Sequence, residues 1–469
     1  MPNASVENYI TRLNYDPRVL LSVVPDGTTS AVPVKDRQPA SNGVIICTKI
    51  QHKLNKNLDA VAILSPTAGV VFPGALVRAD QNLSEGHSTP IALPRGPATL
   101  SVDLPGLANP SETLVPTNSN IQKFVNAKLE EWNKQAGSEG YINAARSFLQ
   151  TTQAYSSQQV ALDLGFSSKW ASGNASAQIN TSSSTEKSVV VAYYQQVFYT
   201  ITMDTPTSPA DVFDSAVAFE EAQRAFSERN PPAYVRSVDY GRLLMVKMET
   251  SSINTSVNLK GAFEQATQGG VTVGGKLEAT YKDIINNASF TALAIGGGAE
   301  TPVQIFAGGS EAGLKGLKDY IAKDARYRRD NPGLPVAYTV AFLKDNVFAR
   351  MGFTTDYTET QCVRYPNAFV KFAHAGAYVA KFQVTWAEAD AQGNYTQNKD
   401  WESGNQTAGY THQVDLPGDA QGVRLHAWAA TGLIWDPWGE ILNVSLDGPD
   451  NKCYRVTGTT LNRSWDNNC

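Results

Sequence analysis

The chain has 469 residues, of which 42% are hydrophobic and 18% charged, and its formal net charge is -5. A chain of this length is too long for one ordinary hydrophobic core, so we expect two to four domains. The negative balance and the lack of a polybasic run argue against a nucleic-acid partner and against docking onto anionic lipid by charge alone. No stretch of the sequence approaches the roughly 20 apolar residues of a membrane helix.

The N-terminus and the cysteines give limited information on targeting. Residues 1–15 are polar and contain no apolar signal core, so we expect a soluble chain whose signal was removed or which leaves its cell by another route. The cysteines Cys47, Cys362, Cys453 and Cys469 form no C-x-x-C pair, which argues against zinc. Cys453 and Cys469 could form a disulfide in an oxidising compartment or stay free.

Short apolar runs between proline and turn residues predict strands joined by loops over residues 1–110. Helical spacing then predicts a helix from about 120 to 135, with Ser119 as its N-cap. A second helix is predicted over 209–226, before two prolines stop it. The apolar face of the first helix consists of Ile121, Phe124, Val125, Leu129 and Trp132.

The later part of the chain is mainly β in pattern. Strands are predicted at 189–202, 234–249 and 288–296, and an all-β pattern begins at about 366. Six of the eight tryptophans lie at Trp386 or later, so aromatic side chains concentrate in the last predicted domain.

Two segments, 171–180 and 271–282, alternate small or apolar residues with polar ones. This period of two is typical of a membrane β-strand, whose apolar face meets lipid and whose polar face lines a water-filled lumen. On the pattern alone, an exposed amphipathic strand or a loop rich in Ser and Asn is the commoner explanation.

Six ordered sequence blocks carry a resemblance to a known family. They are YTITMDTPTSPADVF, PPAYVRSVDYGRLLMVKMETS, SFTALAIGG, HAGAYVAKFQVTW, TGLIWDPW and GTTL, at 199–213, 231–251, 289–297, 374–386, 431–438 and 458–461. In this order and at these spacings the chain resembles the cholesterol-dependent cytolysins, clearly over residues 115–469 and more weakly over 1–114.

The resemblance implies an elongated α+β fold of four domains, with a central bent antiparallel sheet flanked by helical bundles and a C-terminal all-β sandwich. Domain 1 would be discontinuous, over 1–20, 56–150, 201–246 and 322–347. Domain 2, a β linker, would comprise 21–55 and 348–365, the pore-forming domain 3 would comprise 151–200 and 247–321, and the membrane-binding domain 4 would be 366–469.

By position, the resemblance places the two helical bundles at about 162–189 and 260–283, which contain the alternating segments. Each bundle is long enough for two strands of about 10 residues and a turn, the length of a tilted membrane strand. Unpaired backbone N–H and C=O groups are costly in lipid, so one copy with two hairpins cannot insert alone. The hairpin interpretation therefore requires a large homo-oligomeric ring that closes the sheet.

The resemblance also assigns residues to assembly. Gly296 and Gly297 match a glycine pair that lets a covering strand bend away from a sheet edge, because glycine reaches backbone angles closed to other residues. A simple β-bulge is the alternative. Phe290 and Tyr155 match an aromatic pair that stacks between neighbouring protomers and sets the strand register.

At the membrane-contacting end, Thr460 and Leu461 match the pair by which the family recognises sterol. A hydroxyl and an adjacent isobutyl group suit a ligand with one hydroxyl and a flat apolar body. Tryptophan favours the membrane interface because its ring is apolar while its N–H stays hydrated; packing in the sandwich core is the alternative. The other tip-loop residues implied by the resemblance are Ala377, Ala420, Leu433, Ile434, Trp435 and Trp438.

The Trp-rich loop, about 429–439, departs from the family pattern ECTGLAWEWWR. The cysteine of that pattern is Ala430 here, so thiol activation is not expected. The acidic residue is Ala429, the arginine that helps couple binding to assembly is Gly439, and Pro437 replaces one tryptophan. These changes predict weaker binding, a different coupling or a receptor other than cholesterol.

The chain contains no catalytic motif and no histidine pair with metal-ligand spacing, so we expect a non-enzyme without metal or cofactor. The resemblance implies a secreted pore-forming toxin that binds cholesterol or a related sterol in a target-cell membrane. It would assemble into a homo-oligomeric ring and insert two β-hairpins per monomer, lysing the cell. The alternative is a non-lytic membrane-binding or adhesion module on the same fold.

Overall fold

A computed structural model describes residues 4–63, 71–84, 88–135, 140–166, 187–251, 259–268, 279–295, 303–323 and 325–469. The described chain divides into two compact units. The first contains residues 4–30, 52–251 and 259–358, with the gaps just given, and the second contains residues 31–51 and 359–469. The finer division into four domains stays a prediction.

The helices of the described chain lie in the first unit. They are α1 (Ala4–Arg12), α2 (Pro17–Leu20), α3 (Gln81–Ser84), α4 (Asn118–Lys134), α5 (Ser157–Asp163), α6 (Phe219–Ala225), α7 (Leu259–Gln268), α8 (Ala279–Asn286) and α9 (Glu311–Ala322). Within the residues described, none of these helices combines the length and the apolar character needed to cross a membrane.

The strands that precede the last domain are long in the middle of the chain and short near its start. They are β1 (Gly27–Ser30), β2 (Val34–Ala40), β3 (Gly43–Leu58), β4 (Ala60–Ala62), β5 (Leu76–Arg78), β6 (Thr89–Pro90), β7 (Ala98–Val102), β8 (Ser111–Leu114), β9 (Arg146–Gln153), β10 (Ser188–Met203), β11 (Pro232–Thr250), β12 (Ala288–Ile295), β13 (Val303–Ala307), β14 (Leu334–Phe342) and β15 (Met351–Pro366). The main sheet of the first unit has the order β13-β12-β11-β10-β7-β8, with β9 also on β10 and β14 also on β11.

The central strand β10 is buried on both faces. Val189 and Val191 pack in one apolar cluster with Val160 of α5. The alternate residue Val190 packs in another cluster with Phe263 of α7. Because successive side chains of a strand point to opposite faces, a sheet covered on both sides needs a continuous apolar run rather than alternation.

The last part of the second unit is a β-sandwich. Its strands are β16 (Ala368–His374), β17 (Ala380–Ala389), β18 (Tyr395–Glu402), β19 (Thr411–Leu416), β20 (Gln421–Ala430), β21 (Trp438–Leu446), β22 (Lys452–Thr459) and β23 (Asn462–Asp466). They form two sheets, β19-β16-β22-β23 and β18-β17-β20-β21. In β20, Val423, Leu425, Ala427 and Ala429 face the core and alternate with more exposed residues. The predicted α+β class with a C-terminal β-sandwich is confirmed.

The first predicted helix is confirmed as α4, with its apolar face buried. The predicted cap, Ser119, is wrong. The helix already begins at Asn118, and the Thr117 side chain accepts the amide of Asn120 at 3.3 Å. A β-region Thr117 outside the helix meets the requirement for an N-cap, whereas Ser119 lies inside the first turn.

The second predicted helix, 209–226, is wrong as one continuous element. A 3₁₀ turn ends at Val212, and α6 begins only at Phe219. Between them the backbone of Phe213 is extended and forms an antiparallel β-bridge with Arg95. The Arg95 side chain also donates from Nε to the Val212 carbonyl at 3.0 Å, so tertiary contacts stop the helix there.

The predicted strands at 189–202, 234–249 and 288–296 are confirmed as β10, β11 and β12, except that residue 296 lies outside the described residues. The alternating segment 171–180 and most of 271–282 lie outside the described residues. The described flanks of the second predicted hairpin, in α7 and α8, are helical, which agrees with the implied helical bundle.

Two disulfides lie in the second unit. The disulfide between Cys453 and Cys469, for which the sequence analysis gave two alternatives, is formed and joins residues 16 positions apart. Cys47–Cys362, which the sequence analysis did not identify, joins β3 to β15 across a separation of 315 residues. All four cysteines are therefore paired, and none is a free thiol.

Candidate functional site

Three loops meet at one end of the sandwich. The first comprises residues 375–379 between β16 and β17, the second residues 431–437 between β20 and β21, and the third residues 460–461 between β22 and β23. We call them the first, second and third tip loops.

Backbone contacts join the tip loops at their bases. The Ala430 amide donates to the Val379 carbonyl at 2.7 Å, which links the second loop to the first. Ala377 forms a parallel β-bridge with Thr459, and its amide donates to the Gly458 carbonyl at 2.8 Å. The first loop therefore lies between the other two and contacts both.

The tip exposes large apolar side chains to solvent. Leu461 is 97% exposed, Ile434 94%, Trp435 81% and Leu433 44%. Single exposed apolar residues are common on soluble proteins, whereas several at the end of one domain indicate a surface that binds something apolar. The structure thus brings together four of the residues that the sequence predicted for membrane contact.

One threonine organises the second tip loop. The Thr431 amide donates to the Pro437 carbonyl at 3.0 Å and closes the loop. Its hydroxyl accepts the Leu433 amide at 3.1 Å and donates to the Asp436 carbonyl. Gly432, at a φ of +80°, permits the turn. Since these bonds satisfy backbone groups inside the loop, its apolar side chains are free to project outward.

The third tip loop is a tight β-hairpin. Thr459 pairs with Asn462 and Gly458 with Arg463, so Thr460 and Leu461 are the whole connection. A loop of two residues leaves no room for Leu461 to fold back onto the sheet. Thr460 is half-buried beside it, and the predicted hydroxyl and isobutyl pair is therefore presented at one edge.

Trp438 belongs to β21 rather than to the second tip loop. The Lys381 ammonium lies 4.5 Å from the centre of its indole ring and 5.3 Å from the ring of Trp428. Such cation–π contacts hold the Trp438 ring against the outer face of the sheet. Trp438 therefore forms the base of the tip, and Trp435 is the exposed tryptophan.

A buried histidine shapes the first tip loop. His374 is 2% exposed, and its Nδ1 accepts the Gly376 amide at 3.1 Å. Nε2 therefore carries the hydrogen and donates to the Tyr378 carbonyl at 2.8 Å. Burial lowers the pKa of His374, against a smaller raising effect of the bond to Tyr378. The neutral ring is the form that fits this loop.

The predicted tip position of Ala420 is wrong. Ala420 is 2% exposed and precedes the first residue of β20, whose last residue leads into the second tip loop. It therefore lies at the opposite end of the sandwich. Its neighbour Asp419 is buried there in a bidentate ion pair with Arg37 of β2, at 2.6 Å and 3.0 Å.

Two of the residues predicted to act in assembly, Tyr155 and Phe290, lie in the described part of the first unit. Tyr155 stacks on Tyr357 at a centroid distance of 5.9 Å and an interplanar angle of 12°. Phe290 of β12 is fully buried, paired with Phe306 of β13 and 6.3 Å from the ring of Phe263. Stacking of Phe290 against another protomer stays a prediction, and it requires that these neighbours move. The predicted hinge, Gly296 and Gly297, lies outside the described residues.

The sequence analysis missed the residues that give the tip its shape. Thr431 before Gly432 is a local signal for a hydroxyl-stabilised turn and was available in the sequence. Lys381 and His374 gave no such signal, because their roles depend on rings and loops distant in sequence.

Comparison with known proteins relates almost the whole chain to one family. Residues 5–365 match the family described as thiol-activated cytolysin, and residues 369–464 match the thiol-activated cytolysin beta sandwich domain. The chain is 33% identical over 468 residues to tetanolysin of Clostridium tetani, an alignment that covers 98% of this chain and 87% of tetanolysin.

Solved structures show the same fold. The crystal structure of listeriolysin O matches with a TM-score of 0.86 at 31% identity, covering 99% of this chain and 95% of the other. A non-hemolytic pneumolysin from Streptococcus pneumoniae strain ST306 matches with a TM-score of 0.83 at 28% identity, covering 99% of each chain. The predicted fold is therefore confirmed along the chain.

Proposed function

The chain belongs to the thiol-activated cytolysins, a family of pore-forming toxins rather than enzymes, and we propose that it docks on sterol-containing membranes through its three tip loops and lyses the target cell. The observation that carries this proposal is the set of four apolar side chains exposed at the tip. A similar solved structure is described as the human-specific toxin intermedilysin, and we propose that this protein too is secreted and acts on a target-cell membrane.

The apolar effect, rather than charge, drives the proposed docking. Burying one Leu or Ile side chain in an apolar phase contributes about 1.5–3 kcal/mol. Leu461, Ile434 and Leu433 together therefore supply enough free energy for reversible attachment, and Trp435 adds an interfacial ring. A net charge of -5 opposes rather than supports attraction to anionic lipid.

Sterol recognition is proposed for Thr460 and Leu461. The threonine hydroxyl can exchange a hydrogen bond with the single hydroxyl of cholesterol or a related sterol, while the isobutyl group contacts its flat ring system. The neighbouring Ala377 has only a methyl group and leaves room for such a ligand.

Pore formation is proposed to use the segments 162–189 and 260–283 as two membrane hairpins per monomer. A membrane sheet needs every edge paired, so many copies must close into a ring. In the monomer, β13 covers the edge of β12 and buries Phe290. We propose that β13 leaves, bending at Gly296 and Gly297, and that Phe290 then stacks on Tyr155 of a neighbouring copy.

A locked covering strand tests this insertion step. Thr291 pairs with Ile305, which is 75% exposed, so Thr291→Cys with Ile305→Cys is suited to an engineered disulfide between β12 and β13. The locked protein should pellet with vesicles but release no dye, while the Ile305→Cys single variant should release dye normally. Release by the locked protein would refute the insertion mechanism.

A non-lytic membrane-binding or adhesion module is the second candidate. Ala429, Pro437 and Gly439, in the second tip loop and the strand ends that flank it, depart from the family pattern. A similar structure carries the description non-hemolytic pneumolysin, so this fold also occurs without hemolysis. A pore former with a receptor other than cholesterol is a variant of the first candidate.

Vesicle binding and dye release separate the candidates. Vesicles with and without cholesterol are pelleted with the protein, and release of an encapsulated dye is followed in parallel. The proposal predicts binding and release only with cholesterol. Binding without release would favour the non-lytic module, and no binding to either vesicle would mean that the tip recognises another receptor.

A further inference from the structure

The third tip loop leads directly to an arginine that contacts the base of the second loop. Arg463 is the second residue of β23, two positions after Leu461, and pairs with Gly458 of β22. Its guanidinium extends to the start of β21 and lies on Gly439. β21 begins where the second tip loop ends, so Arg463 connects the two loops that expose apolar side chains.

The contact depends on the absence of a side chain at Gly439. A Cβ atom placed there would lie 2.6 Å from Cζ of Arg463 and 2.9 Å from Nη2, and closer still to Nη1. Real Cβ atoms do not approach other heavy atoms this closely. The backbone of Gly439 does not lie in the left-handed region, so glycine matters here for space and not for backbone angle. Any side chain at this position would displace the flexible end of Arg463.

The guanidinium also acts on the first tip loop through its charge. Burial raises the pKa of the Tyr378 hydroxyl, and the positive charge of Arg463 offsets part of this rise. The same hydroxyl donates to the Thr457 carbonyl of β22 at 2.8 Å. Within the described residues, Nη1 of Arg463 is buried and makes no hydrogen bond. Such an unsatisfied buried donor is costly to the folded monomer.

We propose that Arg463 is a positioning residue that couples the tip loops, so that contact of Leu461 with sterol orients the second loop for membrane contact. This inference rests on the proposed membrane docking. The guanidinium contacts Gly439, just after the second loop ends. Arg463 lies in the hairpin that forms the third loop, so a movement of the third loop would also move the guanidinium against Gly439. Trp435 therefore contributes its full share of binding only when Leu461 is engaged.

Two variants break this link in different ways. Arg463→Met keeps the length of the side chain but removes the guanidinium. Gly439→Ala keeps the arginine but pushes its flexible end away from β21. Arg424→Met, on an exposed position of β20, is the matched control for the first. Gly448→Ala is the control for the second, because a Cβ there meets nothing within 4 Å.

The test is a double-mutant cycle between Leu461→Ala and Trp435→Ala, measured as binding to cholesterol vesicles. In the otherwise native protein, Trp435→Ala should weaken binding about tenfold when Leu461 is present and less than about threefold when it is replaced. In the Arg463→Met and Gly439→Ala backgrounds, the fold-losses in binding caused by Leu461→Ala and by Trp435→Ala should be independent. The double variant should then lose the product of the two. The two control backgrounds should keep the native, non-multiplying pattern. A merely structural role of Arg463 would lower stability without changing this pattern.

Two outcomes would overturn the proposal. One is that the fold-losses in binding from Leu461→Ala and Trp435→Ala are already independent in the native background. The other is that neither Arg463→Met nor Gly439→Ala changes the cycle. If the native protein binds no vesicle at all, the proposed docking function is wrong. The contact between Arg463 and the second loop is then tested separately, by amide hydrogen exchange of the protein in solution. Arg463→Met should then speed exchange of the Thr431 and Leu433 amides about tenfold, and Arg424→Met should not. Equal exchange in native and Arg463→Met proteins would reject the link.

Discussion

The two ends of the β-sandwich are built from the same strands and are held in different ways. At the end where β20 begins, a buried ion pair joins Asp419 to Arg37, and a disulfide joins Cys453 at the start of β22 to Cys469. At the tip, hydrogen bonds of single loops, such as those of Thr431, hold exposed apolar side chains.

From this difference we infer that one end of the domain serves stability and the other the proposed membrane docking. An ion pair and a disulfide stabilise the end where β20 and β22 begin. The one predicted site residue at that end, Ala420, is buried. The tip keeps its apolar residues in solvent and has local bonds that can rearrange. We therefore expect changes at the first end to reduce stability and changes at the tip to reduce membrane binding.

The largest expected effect comes from removing one partner of the buried ion pair. Arg37→Met leaves the Asp419 carboxylate, whose side chain is 0% exposed, without its partner. A buried charge left unpaired costs about 3–5 kcal/mol, so the urea midpoint of unfolding should fall sharply. The control Lys452→Met removes an exposed ion pair with Asp450 and should leave the unfolding midpoint almost unchanged, because surface ion pairs contribute little. Equal costs would contradict the difference between the ends.

Reduction of the disulfides should have the next largest effect. The Cys47–Cys362 bond closes a separation of 315 residues, and losing such a crosslink costs about 2–4 kcal/mol because the unfolded chain gains freedom. A dithiol reductant should therefore lower the unfolding midpoint and should not raise lysis, since Ala430 occupies the cysteine position of the family pattern. Cys453→Ser with Cys469→Ser isolates the shorter crosslink. Increased lysis after reduction would contradict this account.

A charge at the tip should reduce binding without reducing stability. Leu461→Asp places a carboxylate on a side chain that is 97% exposed, so unfolding should change by less than about 0.5 kcal/mol. Binding to cholesterol vesicles should fall at least about tenfold, because a charge opposes entry into an apolar phase. The matched change at the other end, Ala420→Asp, should instead destabilise the folded protein. The prediction is wrong if Leu461→Asp binds as the native protein does.

The smallest expected effect is a pH dependence of the first tip loop. The folded-state pKa of His374 is lowered, so its stabilising contribution is present above the unfolded value near 6.5 and is lost as pH falls below it. Protonation of Nδ1 removes the bond from the Gly376 amide. The exchange protection of that amide should fall about tenfold from pH 7 to pH 5. In a His374→Gln variant the protection should not change with pH, and a constant value in the native protein would refute the assignment.

The sequence predicted the architecture better than the details of the site. Apolar runs and alternation located β10, β11, β12 and the sandwich, because burial on one or two faces leaves a direct trace in the order of residues. The helix predicted over 209–226 failed, since the break at Phe213 depends on a bridge to the distant Arg95.

Within the site too, features fixed by local sequence were predicted, and features that depend on distant contacts were not. Leu433, Ile434, Trp435 and Leu461 were identified because they lie in the quoted blocks and are exposed by their own loops. Ala420 was misplaced, since the end of a sandwich at which a loop lies follows from strand direction and packing. The Cys47–Cys362 pair and the contact of Arg463 with Gly439 arise only when distant strands meet, so no local pattern predicts them.

The most direct measurement places an environment-sensitive dye at each end of the sandwich. Ile434→Cys labels the tip, and Asn451→Cys labels an exposed position beside the start of β22 at the other end. When cholesterol vesicles are added, the account predicts that the fluorescence of the dye at position 434 alone increases. When the vesicles contain spin-labelled lipid, only that dye should be quenched. An unchanged signal at position 434 while the protein pellets with the vesicles, or quenching at position 451 instead, would contradict docking through the tip loops.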